Sequence, residues 1–317
     1  MTTNKVVEYL YGLGHFHNPD DPTGVVESDL PLLKLTDAST RIALASFQRY
    51  LEADFDQFAL LEHGRVGLPD GEVGPATESL LDMPRCGFPD YPYPEGVLGA
   101  ELEANWPTAC RGALKFSRNF KSLPGLSEAD TDRIFHGMAN NWSYALEDVT
   151  LTSAAVGDRS GAHIYAGLKA LGGSVLAWSF LARNSCAVEL EQAYNTRTNW
   201  DMVLAVTVAT HESGHALGLQ HNKDASALMY PSIHARSKAR KGYPNNTDLA
   251  QCKALGYRLS GSQPPSDGDL YRPMPHTPLP DPEPDPEPND YWFKGSFNLM
   301  QGNKSLGEFI LIPKTKV

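Results

Sequence analysis

The chain has 317 residues, of which 41% are hydrophobic and 21% charged, and its formal net charge is −11. This composition is typical of a globular protein long enough for two domains. The negative charge argues against nucleic acid as the partner. No apolar run approaches the ~18 residues of a membrane span, and the N-terminus shows no apolar signal-peptide core. We therefore expect no transmembrane segment and no nucleic-acid partner.

Three short helices are predicted in the N-terminal part of the chain. Apolar residues recur there at three- and four-residue spacing, the pattern of amphipathic helices. Ser39 or Thr40 can cap the second of these helices. The helices cover residues 5–13, 39–52 and 75–82. We therefore predict a small three-helix module, followed by a connector rich in proline and glycine.

From Asn105 onward, short strands alternate with two long helices. A capping signature at Ser127 begins an amphipathic helix whose apolar stripe extends to Leu146. The second long helix is predicted over residues 199–218. Strand-like segments read ALKFSR, AHIYAGL, SVLAWSFLA and CAVELEQ. This order predicts an α+β domain built on a mixed sheet.

The C-terminal part changes in composition. Alternating proline and acidic residues in 261–290 cannot form a packed core, and they predict an extended linker. Residues 291–317 predict a short hairpin that turns near Gly302. A single hairpin is too short to fold alone, so the tail either packs back on the main domain or serves as a small adhesive segment, and the sequence leaves both alternatives open.

The segment HESGHALGLQH suggests a metal site. On a helix, His211 and His215 lie one turn apart, so that both imidazoles can reach one zinc ion. Gly218 can end the helix in a left-handed conformation and bring His221 round as a third ligand. Three imidazoles leave one position for water, as in catalytic zinc sites. Glu212 can take a proton from that water and pass it to the leaving amine.

The motif HExxHxxGxxH, followed by ALMYP, resembles the matrixin branch of the metzincins, the matrix metalloproteinases and their bacterial relatives. The resemblance implies a zinc-dependent metalloendopeptidase that hydrolyses proteins or peptides. It also implies a twisted mixed sheet with long helices and the zinc in the cleft. Met229 is then the Met-turn residue beneath the histidines, and Gly218 and Pro231 support the site.

The upstream segment PRCGFPD resembles the end of matrixin propeptides. The resemblance implies that Cys86 replaces the water on zinc and keeps the enzyme latent. Gly87 would let the backbone pass close to the metal. Arg85 and Asp90 would pair and hold the switch loop, as they do in the family.

The resemblance divides the chain into four parts. The first would be an intramolecular inhibitor similar to peptidoglycan-binding modules. An alternative therefore stays open, in which the chain binds peptidoglycan and its metal domain trims cell-wall peptides. The family also implies an extracellular location, although no signal peptide is visible. The parts are a propeptide (1–95), a protease domain (96–260), the linker (261–290) and the tail (291–317).

Several positions depart from the vertebrate pattern. The chain reads LAW, with Trp178, where the family has a histidine ligand of a second, structural zinc. It reads VELEQAY where the family's HFDDDE supplies metal ligands. We therefore expect one catalytic zinc and no structural zinc, and the sequence does not support calcium sites.

The loop after the Met-turn is basic, which indicates either a pocket that prefers acidic groups or an ordinary solvated loop. Its basic residues are Arg236, Lys238, Arg240 and Lys241.

The pairing of the remaining cysteines stays open. If Cys86 has its own role, at most one disulfide can form among the other three, which are Cys110, Cys186 and Cys252.

Overall fold

The protein is described by a computed structural model that forms two units, residues 1–276 and 277–317. Among the described helices, none combines the length and the apolar character needed to cross a membrane. The described residues are 3–20, 22–52, 54, 69–91, 105–172, 174–233, 235–273, 297–301 and 304–309.

The N-terminal module contains the three predicted helices and two short 3-10 helices that the sequence did not predict. The predicted cap of the second helix is wrong. Asp37 is the N-cap residue, because its backbone is extended and its carbonyl accepts the first helical hydrogen bond, from the Arg41 N–H at 3.0 Å, so that Ser39 and Thr40 lie inside the helix. The helices are α1 (Thr3–Gly12), α2 (Ala38–Tyr50) and α3 (Pro75–Asp82), and the 3-10 helices are His15–His17 and Glu27–Leu32.

The core of this module is apolar and includes one residue from the far half of the chain. Tyr230, which follows the Met-turn methionine, is 1% exposed and packs in the same cluster as the helices. A residue just beyond the histidine motif is therefore part of the apolar core of the N-terminal module. The buried helical residues of this cluster include Val6, Val7, Leu10, Leu44, Phe47, Leu80 and Leu81.

A six-stranded mixed sheet is the centre of the first unit, and it confirms the predicted α+β fold. Its order is β1-β5-β6-β4-β2-β3, with β5 antiparallel to β6 and the other pairs parallel. Strand β1 is part of the predicted switch segment and lies at the edge of the sheet beside β5. The strands are β1 (Arg85–Cys86), β2 (Leu114–Arg118), β3 (Leu151–Ser153), β4 (Ile164–Lys169), β5 (Val175–Ser179) and β6 (Leu190–Asn195).

Two long helices pack against each other and against the sheet. Ser127 caps the first, accepting the Asp130 N–H at 3.0 Å, as its sequence predicts. Asp201 caps the second through the Leu204 N–H at 2.8 Å. The second helix is buried from Ala205 to Ala216, so the histidine motif lies on a rigid element. The helices of this region are α4 (Thr108–Arg111), α5 (Glu128–Ala145), α6 (Met202–Ala216), α7 (Ala235–Ala239), α8 (Asn246–Ala254) and α9 (Asp267–Leu270).

Residues 261–273 differ from the predicted linker, because they pack on α5. Helix α9 lies in this segment, and Leu270 is 2% exposed. The amide of Asn140 donates to the carbonyls of Asp269, Leu270 and Arg272 at 2.6–2.9 Å. Proline-rich composition is a local signal, and it does not reveal an anchor that lies more than a hundred residues upstream.

One disulfide joins Cys110 in α4 to Cys186 before β6, across a separation of 76 residues. Because it closes a long loop of the unfolded chain, we expect the Cys110→Ser, Cys186→Ser double variant to lose about 2–4 kcal/mol of unfolding free energy. Urea unfolding of the two chains under identical conditions measures the difference. A reducing agent should destabilise the wild type and leave the double variant unchanged. Equal midpoints of the two chains would contradict the prediction.

The second unit is described only by its backbone. Strands β7 (Phe297–Gln301) and β8 (Lys304–Phe309) pair antiparallel, with Gln301 opposite Lys304. They lie in the range where the sequence predicts a hairpin. The predicted turn at Gly302 lies outside the described residues.

Candidate metal centre

Helix α6 and the turn after it bring three histidines together. His211 and His215 are fully buried on one face, with ring centroids 4.9 Å apart. Gly218 follows the helix at a φ of +100°, a left-handed conformation that side chains disfavour. The chain turns back there, and the ring of His221 lies 4.9 Å from that of His215. The geometry thus places the three predicted ligands in one cluster.

Cys86 completes this cluster from the edge of the sheet. One ligand atom from each of Cys86, His211, His215 and His221 lies within 4.8 Å of the others. The Cys86 Sγ is 3.5 Å from the His215 Nε2. Zinc bonds of about 2.3 Å to sulfur and about 2.0–2.1 Å to nitrogen, in tetrahedral geometry, place those two atoms about 3.5 Å apart. The donor set and its spacing therefore fit a zinc ion.

The protonation of the rings also fits a metal. Each Nδ1 donates a hydrogen bond to an oxygen, so each Nε2 carries a lone pair. Within the described part of the chain, the buried Nε2 atoms of His211 and His221 have no hydrogen-bond partner. Burial lowers the pKa of His211 to about 3 and lowers the pKa of the other two rings, so all three are neutral. The Nδ1 acceptors are the carbonyls of Leu228 and Leu219, each at 2.7 Å, and the carboxylate of Asp90 at 2.9 Å.

The Met-turn lies directly under α6. Met229 is fully buried, and a Cβ added to Gly214 would stand 2.4 Å from its sulfur. Gly214 is therefore needed where the helix meets the turn. The carbonyl of Pro231, just beyond the turn, accepts the Cys86 N–H at 2.8 Å. The Met-turn region thus contacts both the helix with the histidines and the switch segment.

Asp248 supports the Met-turn, and sequence reasoning missed it. Its buried carboxylate accepts the backbone N–H groups of Leu228 and Met229 at 2.8 and 3.0 Å. It also closes the capping box of α8, accepting the N–H of Asn245 at 2.8 Å. The sequence pattern Asn-x-x-Asp indicates a capped start of helix α8, but it gives no indication that Asp248 also supports the Met-turn.

Glu212 lies beside the ligands. It is fully buried, and the Cys86 Sγ is 3.6 Å from its Oε2. Burial raises its pKa to about 8, and the contact with Cys86 opposes this rise. Burial likewise raises the pKa of the Cys86 thiol, and the charge of Glu212 raises it further. The carboxylate thus faces the position that the Cys86 sulfur occupies.

The switch segment pairs with both sides of the cleft. On the β5 side, the N–H groups of Arg85 and Gly87 donate to the carbonyls of Ser174 and Ala177 at 3.1 and 2.8 Å. A Cβ on Gly87 would stand 2.7 Å from the Val175 side chain. The sequence predicts glycine here for close approach to the metal, whereas the structure gives a different reason, the side chain of strand β5.

Two other residues near the metal site, Phe88 and His15, were not predicted. Phe88 stacks on the ring of His215, with centroids 4.2 Å apart. His15 donates its Nε2–H to the carboxylate of Asp90 at 2.9 Å, and the same carboxylate pairs with Arg85 at 2.5 Å. Burial opposes its ionisation, but Arg85 holds the pKa of Asp90 well below its usual range. His15 is 75 residues upstream, so no local motif could have indicated it.

The basic loop after the Met-turn is partly engaged in its own structure. Arg240 donates to the carbonyls of Ser226 and Tyr243 at 2.6 and 3.1 Å. Lys241 pairs with Asp267. The side chain of Arg236 lies outside the described residues. Two of the four cations are thus used to hold the loop, which favours its interpretation as an ordinary surface loop.

Comparison with known proteins agrees with this site. Residues 121–255 match the family model described as Matrixin. Metalloendoproteinase 4-MMP of Arabidopsis thaliana is 26% identical over 254 residues, which cover 68% of this chain and 73% of that protein. Neutrophil collagenase of Homo sapiens is 29% identical over 234 residues, covering 66% and 44%. Hatching enzyme of Paracentrotus lividus is 31% identical over 210 residues, covering 63% and 34%.

The chain therefore spans less than half the length of the last two relatives. The matched region nevertheless contains both long helices, the three histidines and the Met-turn. The mixed sheet and the converging ligand atoms agree with that match. Residues 121–255 are thus similar to the matrixin branch of the metzincins, whose members are zinc-dependent metalloendopeptidases.

Proposed function

We propose that this chain is a zinc-dependent metalloendopeptidase made as a latent zymogen, in which Cys86 blocks the metal and Glu212 is the general base of the activated enzyme. The observation that carries the proposal is the convergence of the Cys86 sulfur with one ring nitrogen of each of the three histidines. The contact of that sulfur with the Glu212 carboxylate, at 3.6 Å, supports it further. One side chain thereby covers both the metal position and the catalytic carboxylate.

His211, His215 and His221 would hold the zinc through Nε2, and Met229 would support the rings from below. When bound, zinc supplies Lewis acidity that polarises the scissile carbonyl and acidifies water. Once Cys86 has left, the Glu212 carboxylate faces the open position. It can accept a proton from the attacking water and deliver that proton to the amine that leaves.

The substrate would occupy the place of β1 at the edge of the sheet. Carbonyls on both sides of the cleft, at Ser174, Ala177 and Pro231, accept N–H groups of the switch segment. The same carbonyls can bind the backbone of another extended peptide. We therefore propose protein or peptide substrates that add a strand to β5. We also propose an extracellular location, on the strength of the family resemblance alone.

Metal dependence tests the ligand assignment. In the Cys86→Ala chain, a chelator should abolish the hydrolysis of a quenched peptide library, and added zinc should restore it. His215→Ala should lose bound zinc as well as activity, because two imidazoles and water bind zinc poorly. His136→Ala is the matched control, since this half-buried histidine of α5 lies outside the cluster. Full zinc content in His215→Ala would overturn the assignment.

A further inference from the structure

The three histidines of the metal site have different kinds of outer partner. His211 and His215 donate to backbone carbonyls that lie close to them in the chain, 17 and 4 residues away. His221 instead donates to the side chain of Asp90, which is 131 residues upstream. The third histidine is therefore oriented by the region that the resemblance identifies as the propeptide.

Asp90 is itself held in place by residues of that region. Its side chain is fully buried, as are those of Arg85 and His15. Its Oδ1 accepts from both His221 and Arg85, and its Oδ2 accepts from His15. The other ring nitrogen of His15 is 3.1 Å from the hydroxyl of Ser46 in α2. A continuous buried network thus joins the helical module to the third histidine.

We propose that Asp90 is an outer-sphere partner of the metal site, through which the propeptide raises the zinc affinity of the latent chain. His15 and Arg85 are positioning residues for its carboxylate. This inference rests on the proposed role of the three histidines as zinc ligands. A carboxylate that accepts from a ligand imidazole fixes its tautomer and raises its basicity, and its loss typically costs about 10- to 100-fold in metal affinity.

The proposal gives the propeptide a second task besides blocking the site. Removing it would take away Cys86 and, in the same event, the partner of His221. The latent chain would then load zinc more tightly than the mature enzyme retains it. Metal would thus be acquired before activation, with Asp90 orienting the ring of His221 in advance.

Zinc competition with a chromophoric chelator tests this in the full chain, with Glu212→Gln in every variant to prevent cleavage. Asp90→Ala should weaken zinc binding about 10- to 100-fold, and His15→Phe should weaken it less. Val7→Ala is the control, because Val7 is buried in the same helical core but is not one of the hydrogen-bond partners of the Asp90 carboxylate. A chain that binds no zinc even with Asp90 intact would refute the proposed function itself, whereas equal affinities with and without Asp90 would refute only this inference.

A double-mutant cycle separates the effects of Asp90 and Cys86 on zinc affinity. The separation is needed because loss of Asp90 could loosen the switch loop and so release the Cys86 thiolate from the metal. If Asp90 acts through His221, its replacement should still weaken zinc binding in the Cys86→Ala chain. If the effect disappears there, Asp90 acts only through Cys86 and the proposal is wrong. Asp90→Asn, which conserves shape, tests whether the charge is required when Asp90→Ala folds poorly.

Histidine NMR gives a readout that a purely structural role would not change. In the zinc-loaded, 15N-labelled Cys86→Ala chain, the Nδ1–H signals of His211, His215 and His221 should all be protected from exchange. Asp90→Ala should expose only the signal of His221, and His15→Phe should shift that same signal. Loss of all three signals, or of none, would contradict the proposal.

Discussion

Replacing Cys86 with alanine is expected to make the chain cleave peptides at once, without processing. The Cys86 sulfur lies 3.5 Å from the His215 Nε2 and 3.6 Å from the Glu212 carboxylate, so its removal opens the metal position and the catalytic carboxylate together. We expect the rate at low substrate concentration to rise more than about tenfold, because an interaction of only about 1.4 kcal/mol between thiolate and site already accounts for that factor.

The comparison is made on intact chains with zinc present, before any cleavage is visible on a gel. Cys252→Ala is the matched control, because Cys252 is the other buried free thiol among the described residues and lies in α8. That variant should stay as slow as the wild type. If Cys86→Ala is no faster than the wild type, the protease assignment survives, but Cys86 is not the latency residue.

The cluster of three histidines was predictable because most of its geometry is local. His211 and His215 need only a helix, and His221 needs only the turn that Gly218 allows. Those three ligands lie within eleven consecutive residues. Cys86, the fourth residue of the cluster, is 129 residues from His215, and only a family motif indicated it. No periodicity or spacing in this chain would have joined the two segments.

The helix boundaries were also predictable because the sequence features that set them are local. Helix α5 begins after Ser127 and helix α3 covers Pro75–Asp82, where periodicity and capping residues mark the boundaries. Strand pairing could not be predicted in the same way, because the register of β1 against β5 depends on contacts between segments about 90 residues apart. The fold class could be predicted, whereas the position of the switch segment as an edge strand could not.

The residues that could not be predicted from the sequence are buried polar side chains whose partners lie far away in the chain. His15 and Asp248 each hold a residue of the metal region, although neither belongs to a family motif quoted from the sequence. Asn140 similarly anchors the segment around Leu270, whose composition predicts a linker. A polar residue that accepts or donates across the fold looks locally like any surface residue, so its function appears only with the structure.

Replacing Glu212 with glutamine, in the Cys86→Ala chain, is the second change from which we expect a large effect. Glutamine keeps the shape of the side chain but cannot accept the proton of the attacking water. Loss of a general base typically costs about 10²- to 10⁴-fold in rate. We expect kcat to fall by this amount with little change in KM, because the proton transfer occurs only in the transition state. Steady-state kinetics on one quenched peptide measures both constants.

Zinc content decides what such a loss means. Glu212 lies outside the four-residue ligand cluster, so Glu212→Gln should bind zinc as well as its parent does. Glu191→Gln is the control, since this exposed glutamate of β6 pairs only with Lys169 among the described residues, and it should leave kcat unchanged. If Glu212→Gln loses both zinc and activity, Glu212 maintains the site and another group moves the proton. If it keeps zinc and loses kcat alone, the carboxylate is the base.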